Sequence, residues 1–455
     1  MAKKKTQWAT VDTDSAYDEV FRQAVEVAKE KYPGCVYSGN AEAMRVVCLP
    51  VPAFSVRYLL QQEGWPLGRF CRIVGEQESC KSSIGFEIMR WHGRIPGGGG
   101  ILIPTEPKDS PELFRSIVGY DHPRMWWHDK CKTVEEWNAA ASDWIKNLKK
   151  AMDGTAGDPG PGRKAPVCEM VDSLTANLTE AEYKVLFDEG ASDRHYAGCA
   201  MLLKDFVMYI TQEIDDYPFT FLGVNHMKLA TEKVGMFTKT IRNIGGGKTM
   251  PFFETMQLQM RRKSAPTPGK EIYRAQEDEC GIELEIGIYK NSLAPHAVID
   301  VDMLWFTDYD DRDPAGHFRQ KTYFDWQTSS IEILADLLKG EGKRARRLRE
   351  VIDLTVDKDT RKVWSPTLGI QQRAKVKFRE AGAILEEKLA ASQEFRDALY
   401  AETGIRRRYL FKAHMDYRDQ IEEAVKLAAK AEVEAEQQQA ASPFGAPPEE
   451  QPEET

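Results

Sequence analysis

The residues best placed to do chemistry are Gly75-Glu76-Gln77-Glu78-Ser79-Cys80-Lys81-Ser82-Ser83. An apolar run, Phe70 to Val74, precedes them, and Ile84 to Met89 follows with the spacing of a helix start. A strand, a tight turn and then Lys-Ser opening a helix is the layout of a phosphate-binding loop. In such a loop the backbone N–H groups and the helix N-terminus attract phosphates. Lys81 then reaches the β/γ oxygens and Ser82 holds Mg²⁺. Cys80 stands where the pattern has its second glycine, and its Cβ is expected to narrow the cradle. Two acids follow at strand ends. Ile101 to Pro104 reads as a buried strand ending in Thr105-Glu106, where a carboxylate can orient an attacking water. Ala165 to Val171 ends in Asp172-Ser173, the position of an acid that supports Mg²⁺. Glu169 sits inside that second strand, where a carboxylate is out of place.

Other stretches suit contact with a polyanion. Asp193-Arg194-His195-Tyr196 opens a helix reaching about Ile214. The strand Tyr217 to Val224 ends in Asn225-His226-Met227-Lys228. A long polar loop is expected next, with Lys233, Lys239, Arg242 and Lys248 beside Gly245, Gly246 and Gly247, before Phe252-Phe253 restarts the core. Basic residues on a glycine-rich loop suit a phosphate backbone. Two further clusters, Lys343 to Arg349 and Arg406 to Arg408, read as solvated faces, with a secondary DNA contact as the alternative.

These side chains need a scaffold, and the chain can build one. Its 455 residues are 42% hydrophobic and 10% aromatic, enough for two or three globular units. Eight scattered cysteines without a Cys-x-x-Cys pair argue against a zinc site or disulfide framework and for a reducing, cytoplasmic setting. No apolar run has the length to cross a membrane, and no secretory leader is expected. Net charge is −9, but seven acids and no Lys or Arg lie between Glu432 and Thr455, so the body is near neutral.

In order, residues 1–45 carry a helix over Asp14 to Tyr32, with an apolar stripe from Tyr17 to Ala28. Strands and helices then alternate from about 45 to 310, an α/β sheet of mixed direction. Helices are expected at Pro111–Val118 and Thr133–Met152. Gly97 to Gly100 is expected to be a flexible connector. Ile282 to Ile288 reads as a strand with Tyr289-Lys290-Asn291 at its end, and Ala297 to Phe306 as another. Residues 46–328 form the core and 329–431 are mostly helical, with helices at Ser329–Lys339, Ala381–Ala401 and Arg418–Gln438. Residues 432–455, rich in Pro and Glu, are expected to be disordered.

Taken in order, these pieces resemble the RecA family of recombinases over about residues 15–310. Leu67-Gly68-Arg69 is the turn such proteins place before the phosphate loop. Glu106 falls where the family keeps its catalytic glutamate, and Val171-Asp172-Ser173 looks like its Walker B ending. Asp193 to Tyr196 matches the end of the first DNA-binding loop. Asn225-His226-Met227-Lys228 matches the strand end that senses the γ-phosphate and enters the second DNA-binding loop. Gly246-Gly247-Lys248 with Phe252-Phe253 is similar to that loop's closure. Lys290 falls in the segment whose lysine contacts nucleotide across the subunit interface. The helix over 14–31 occupies the place of the family's polymerisation arm.

The resemblance implies a RecA-like P-loop NTPase core with an N-terminal polymerisation helix. It implies a DNA-dependent ATPase using ATP and Mg²⁺, forming helical filaments on single-stranded DNA and pairing them with double-stranded DNA for strand exchange. The cofactor would lie on Gly75, Glu76, Gln77, Glu78, Ser79, Cys80, Lys81, Ser82 and Ser83, with Ser82 and Asp172 at the metal. Glu106, His226 and Lys290 would be catalytic. Arg194, His195, Tyr196, Lys228, Arg242, Gly246, Gly247 and Lys248 would meet DNA. The chain departs from the family at Cys80, at His226 in place of a sensor glutamine, and at Pro251 and Ser292 where bacterial members often carry lysines. The departures point to a divergent member, of bacteriophage type. They also keep open a nucleotide-binding scaffold without turnover and a ring-forming helicase or loader.

Overall fold

The computed structural model describes residues 26–28, 31, 46–106, 110–119, 122–129, 131–154, 165–185, 197–234, 237–245, 249–263, 272–274, 279–294, 300–312, 318–357, 360–413, 415, 417, 419–427 and 430. Val46–Glu422 forms one compact unit. Outside it, residues 26–28, 31 and 423–427 are helical, and the rest of the helix expected over 14–32 lies outside the described residues.

The unit opens with β1 (Cys48–Pro50), α1 (Phe54–Leu60) and β2 (Gly64–Pro66), with β1 and β2 antiparallel. An alternating run follows: β3 (Arg69–Gly75), α2 (Lys81–Gly93), β4 (Gly99–Pro104), α3 (Pro111–Val118), β5 (Met125–Trp127), α4 (Val134–Asp153) and β6 (Val167–Asp172). Next come the short α5 (Glu180–Lys184), α6 (Ala197–Ile214), β7 (Phe219–Val234), β8 (Phe237–Ile244), the short α7 (Met250–Phe253) and β9 (Met256–Arg262). β10 (Ile272–Arg274), β11 (Glu279–Asn291), β12 (Asp300–Arg312) and β13 (Phe318–Phe324) complete this part.

These strands make one sheet in the order β13-β12-β11-β9-β3-β7-β6-β4-β5, with β8 added to β7 and β10 to β11. From β9 to β5 every neighbour is parallel, while β11, β12 and β13 join antiparallel. Helices cover both faces, which is why the central strands are apolar on both sides. In β4, Leu102 enters the cluster containing α2 and α3, and its neighbours Ile101 and Ile103 enter the one containing α4 and α6. This is an α/β fold with a RecA-like core, as the sequence implied. Its register fixes the site: Gly75 lies opposite His226, and Asp172 lies between Pro104 and Val224. The strand ends thus meet along one edge.

Several expectations need correcting. The polar loop expected from Met227 is a hairpin: β7 continues to Val234 and pairs antiparallel with β8, from Met227–Ile244 to Val234–Phe237. Val234, Phe237, Thr238, Thr240 and Ile241 are strand formers, and they outweigh the polar composition. Gly97 to Gly100 is no flexible connector. Gly99 and Gly100 begin β4, and a Cβ on Gly98 would sit 2.2 Å from the His92 carbonyl oxygen. Of Phe252-Phe253, expected to restart the core, Phe253 packs against the cluster containing α4 and α6, whereas Phe252 is 81% exposed.

The carboxy-terminal part is mostly helical, with α8 (Trp326–Lys339), α9 (Lys343–Val351), α10 (Phe378–Ala391) and α11 (Gln393–Thr403). The single helix expected over 381–401 is two, because the Ser392 side chain accepts a hydrogen bond from the Phe395 N–H and caps a new start. A small sheet, β14 (Thr355–Asp357), β15 (Lys362–Trp364) and β16 (Val376–Lys377), went unread. Residues 421–427 are helical; 431–438 lie outside the described residues. A cluster around Ile331, Leu348, Val363, Leu385 and Leu399 closes this part and includes Phe54 of α1. Among the described residues no helix is long and apolar enough to cross a membrane.

Candidate active site

The loop between β3 and α2 is shaped by its backbone. Gly75 has no room for a side chain: a Cβ would lie 2.5 Å from Ser79 Oγ and 2.6 Å from the Met260 carbonyl oxygen. Ser79 Oγ donates to the Glu76 carbonyl (2.8 Å), and Lys81 Nζ donates to the same oxygen (2.5 Å). Glu78 and Cys80 both take positive φ, 59° and 58°. Cys80 is the N-cap of α2, and its side chain makes no bond to the first turn. The first-turn N–H groups of Lys81, Ser82 and Ser83 therefore have no side-chain cap, the arrangement that receives an anion.

Cys80 is half-buried. Its side chain packs against the core cluster beneath α2. Burial pushes its thiol up to about 12, so it is a neutral space-filler near neutral pH. Glu76 is half-buried, Gln77 and Glu78 are exposed, and Ser79 and Ser83 are buried.

Asp172 ends β6 inside this cluster and is 3% exposed. Burial raises its carboxyl to about 6, aided by the charge of Glu106; a Ser82 hydrogen bond and the charges of Lys81 and His226 oppose that rise. Its Oδ2 has no hydrogen-bond partner among the described residues. A buried carboxylate oxygen without a donor, beside a serine hydroxyl and a lysine, fits Mg²⁺, which takes one or two protein oxygens and completes its shell with phosphate and water. The described residues hold no group of three or more His, Cys, Asp or Glu able to make an all-protein metal cage.

Glu106 follows β4, and its Oε1 is hydrogen-bonded to Nε2 of His226 on β7. Thr105 positions both acids and was missed in the sequence. Its N–H donates to the Asp172 carbonyl (2.7 Å), and its Oγ1 bonds both the N–H and the carbonyl of Ser173 (2.7 Å each). Asn225 does the same on β7: Nδ2 donates to the Gly245 carbonyl (2.9 Å), which ties His226 to the base of the hairpin. The signal for both was a polar residue beside a chemical one at a strand end.

The remaining residues lie elsewhere. Lys290, at the end of β11, donates to the carbonyls of Glu254 (2.7 Å) and Pro251, so within one chain it is not part of the Lys81–Asp172 cluster. Burial and the charge of Arg72 lower its ammonium pKa, while Glu254 opposes. Lys228 and Arg242 sit on the hairpin strands, opposite Asn243 and Leu229. Arg194, His195, Tyr196, Gly246, Gly247 and Lys248 lie outside the described residues.

No protein-family model matches the chain. Among curated proteins it is similar to Protein RecA of Ruminococcus albus, 22% identical over 258 residues, covering 56% of this chain and 56% of that protein. Protein RecA of Fusobacterium nucleatum is 20% identical over 258 residues, covering 56% and 59%. Protein RecA of Cutibacterium acnes is 22% identical over 288 residues, covering 63% and 72%. The chain thus spans little more than half the length of the first two relatives. These likenesses support a RecA-family relationship.

Proposed function

We propose that the chain is a Mg²⁺-dependent ATPase of the recombinase kind, which assembles on single-stranded DNA and pairs it with a duplex for strand exchange. One observation carries the reading: Lys81, Ser82, Asp172, Glu106 and His226 converge at adjacent strand ends beside an uncapped helix start. The similarity to RecA proteins supports the DNA part of the proposal.

In this reading the first-turn N–H groups of α2 and the Lys81 ammonium bind the phosphates. Ser82 Oγ and Asp172 Oδ2 hold Mg²⁺, which neutralises charge on the phosphate oxygens when bound. Glu106 takes the proton of the attacking water at Oε1. It must first exchange its bond to His226, whose Nε2 then donates to the terminal phosphate. His226 belongs to the strand that becomes the β7–β8 hairpin, so its movement is felt by Lys228 and Arg242. Arg194, His195, Tyr196, Gly246, Gly247 and Lys248 supply further backbone contacts. Lys290 of a neighbouring protomer completes the site, which couples nucleotide to assembly. The test is ATP turnover with and without single-stranded DNA, and its loss in Lys81→Ala.

The Glu106–His226 bond favours one second reading, a nucleotide-binding scaffold in which Glu106 stays engaged. Filaments that form with ATP while turnover stays at background in both wild type and His226→Gln would decide for it.

A further inference from the structure

The strand beside the phosphate loop ends in consecutive cations, Arg261 and Arg262 of β9 and Lys263 just past it. β9 runs parallel to β3 with Met260 opposite Gly75, so these cations lie beyond the point where the loop begins. Side chains alternate along a strand, and the cations divide accordingly. Arg261 pairs with Glu285 and Lys263 with Glu283, both on β11 and each at 3.3 Å. Arg262 belongs to the other face. Across from it on β11 lie Leu284 and its same-face neighbours Ile282 and Ile286, all apolar.

The ion-pair partner of Arg262 among the described residues is on the phosphate loop itself: Glu78, at 3.9 Å. The guanidinium is half-buried, and its Nε is buried without a hydrogen-bond partner. Burial pushes the Cys80 thiol up, and the charge of Arg262, more than that of Lys81, opposes it. Arg262 is therefore held against the loop from the side of β9.

The loop needs such a cation. The α2 start and Lys81 attract phosphates, whereas the loop acids Glu76 and Glu78 repel them. Glu78 has a φ of 59° two residues before the helix cap, which fixes its backbone in the turn. Its side chain is 67% exposed, so the direction of its carboxylate depends on what attracts it.

We propose that Arg262 is a positioning residue for the phosphate loop: it draws the Glu78 carboxylate away from the phosphates and so sets the affinity of the site for MgATP. The inference rests on the reading of residues 75–83 as a nucleotide site. It does not depend on hydrolysis or on DNA.

The test is equilibrium binding of a fluorescent ATP analogue with Mg²⁺ to the full chain, with Lys81→Ala as the control for the site. Arg262→Gln should weaken binding about fivefold at low salt, and less at high salt as screening weakens the repulsion. Arg262→Lys should keep most of the affinity, because a cation remains. Adding Glu78→Gln to Arg262→Gln should restore binding to within about twofold of wild type. Wild-type affinity in Arg262→Gln overturns the proposal. So does a loss that Glu78→Gln fails to recover, since Arg262 would then act on something other than Glu78. Binding by the wild type that Lys81→Ala leaves untouched would overturn the nucleotide site, and this inference with it.

Discussion

Glu169→Met should stabilise the protein, and more so as pH rises. Glu169 lies mid-strand in β6, 3% exposed, and neither carboxyl oxygen has a hydrogen-bond partner among the described residues. A cavity of about 10 Å³ adjoins it, lined by Ile145, Leu148, Ile214, Phe219 and Phe221, none of which is charged. Burial therefore holds its carboxyl well above the usual range. A buried neutral carboxyl without a partner costs about 1–3 kcal/mol, and methionine, unbranched and apolar, removes that at small steric cost. Titration adds to this. The folded pKa is raised, so the folded chain binds more protons than the unfolded one above the unfolded pKa. Wild-type stability is therefore lost as pH rises, at up to about 1.4 kcal/mol per unit. Between pH 5 and pH 7 the advantage of Glu169→Met should grow by up to about 2.5 kcal/mol. Urea denaturation of both proteins at the two pH values measures it. A pH-independent loss of stability in Glu169→Met would refute the reasoning, because it would mean the carboxyl is held by a bound partner.

Three further outcomes follow. Cys80→Gly relieves a left-handed residue worth about 1 kcal/mol but loses buried thiol packing of similar size, so its unfolding free energy should stay within about 1 kcal/mol of wild type. Its ATP turnover should be unchanged, and a large rise would place the Cβ in the cradle. His92 donates from Nδ1 to the Ile88 carbonyl and accepts at Nε2 from Thr220, and burial lowers it to about 4. The stability this neutral ring contributes is present above its unfolded pKa and lost as pH falls from about 6.5 to 4, up to about 3 kcal/mol; His92→Met should flatten that part of the curve in thermal melts. Arg72 and Glu254 form a buried ion pair (2.6 Å) with Gln257 on the second guanidinium nitrogen (3.0 Å). Arg72→Met alone should cost about 3–5 kcal/mol in denaturant titrations, and adding Glu254→Gln should recover much of it.

The phosphate loop and the two acidic strand ends were legible because each follows a continuous apolar run, the mark of a strand buried on both faces. The loop glycine Gly75 and Lys81 could be read from spacing alone. Thr105 and Asn225 could not, since their work is to join strands adjacent in space and distant in sequence. The β7–β8 hairpin was hidden by its lysines, although its β-branched residues alternate between them. Gly98 to Gly100 looked flexible because glycine composition reports freedom, whereas here it answers to the carbonyls of His92 and Arg124 pressing close. The sheet's reach beyond residue 310 to Phe324 escaped because β12 and β13 carry charges at many positions, as added antiparallel strands can.

The most direct measurement is the rate of ATP hydrolysis with and without single-stranded DNA at low and moderate salt, in wild type and Lys81→Ala. The account predicts Mg²⁺-dependent turnover that rises on adding DNA, with a stimulation that falls steeply with salt and vanishes in Lys81→Ala. Turnover in a well-folded wild type that is indifferent to single-stranded DNA at both salt concentrations would contradict it.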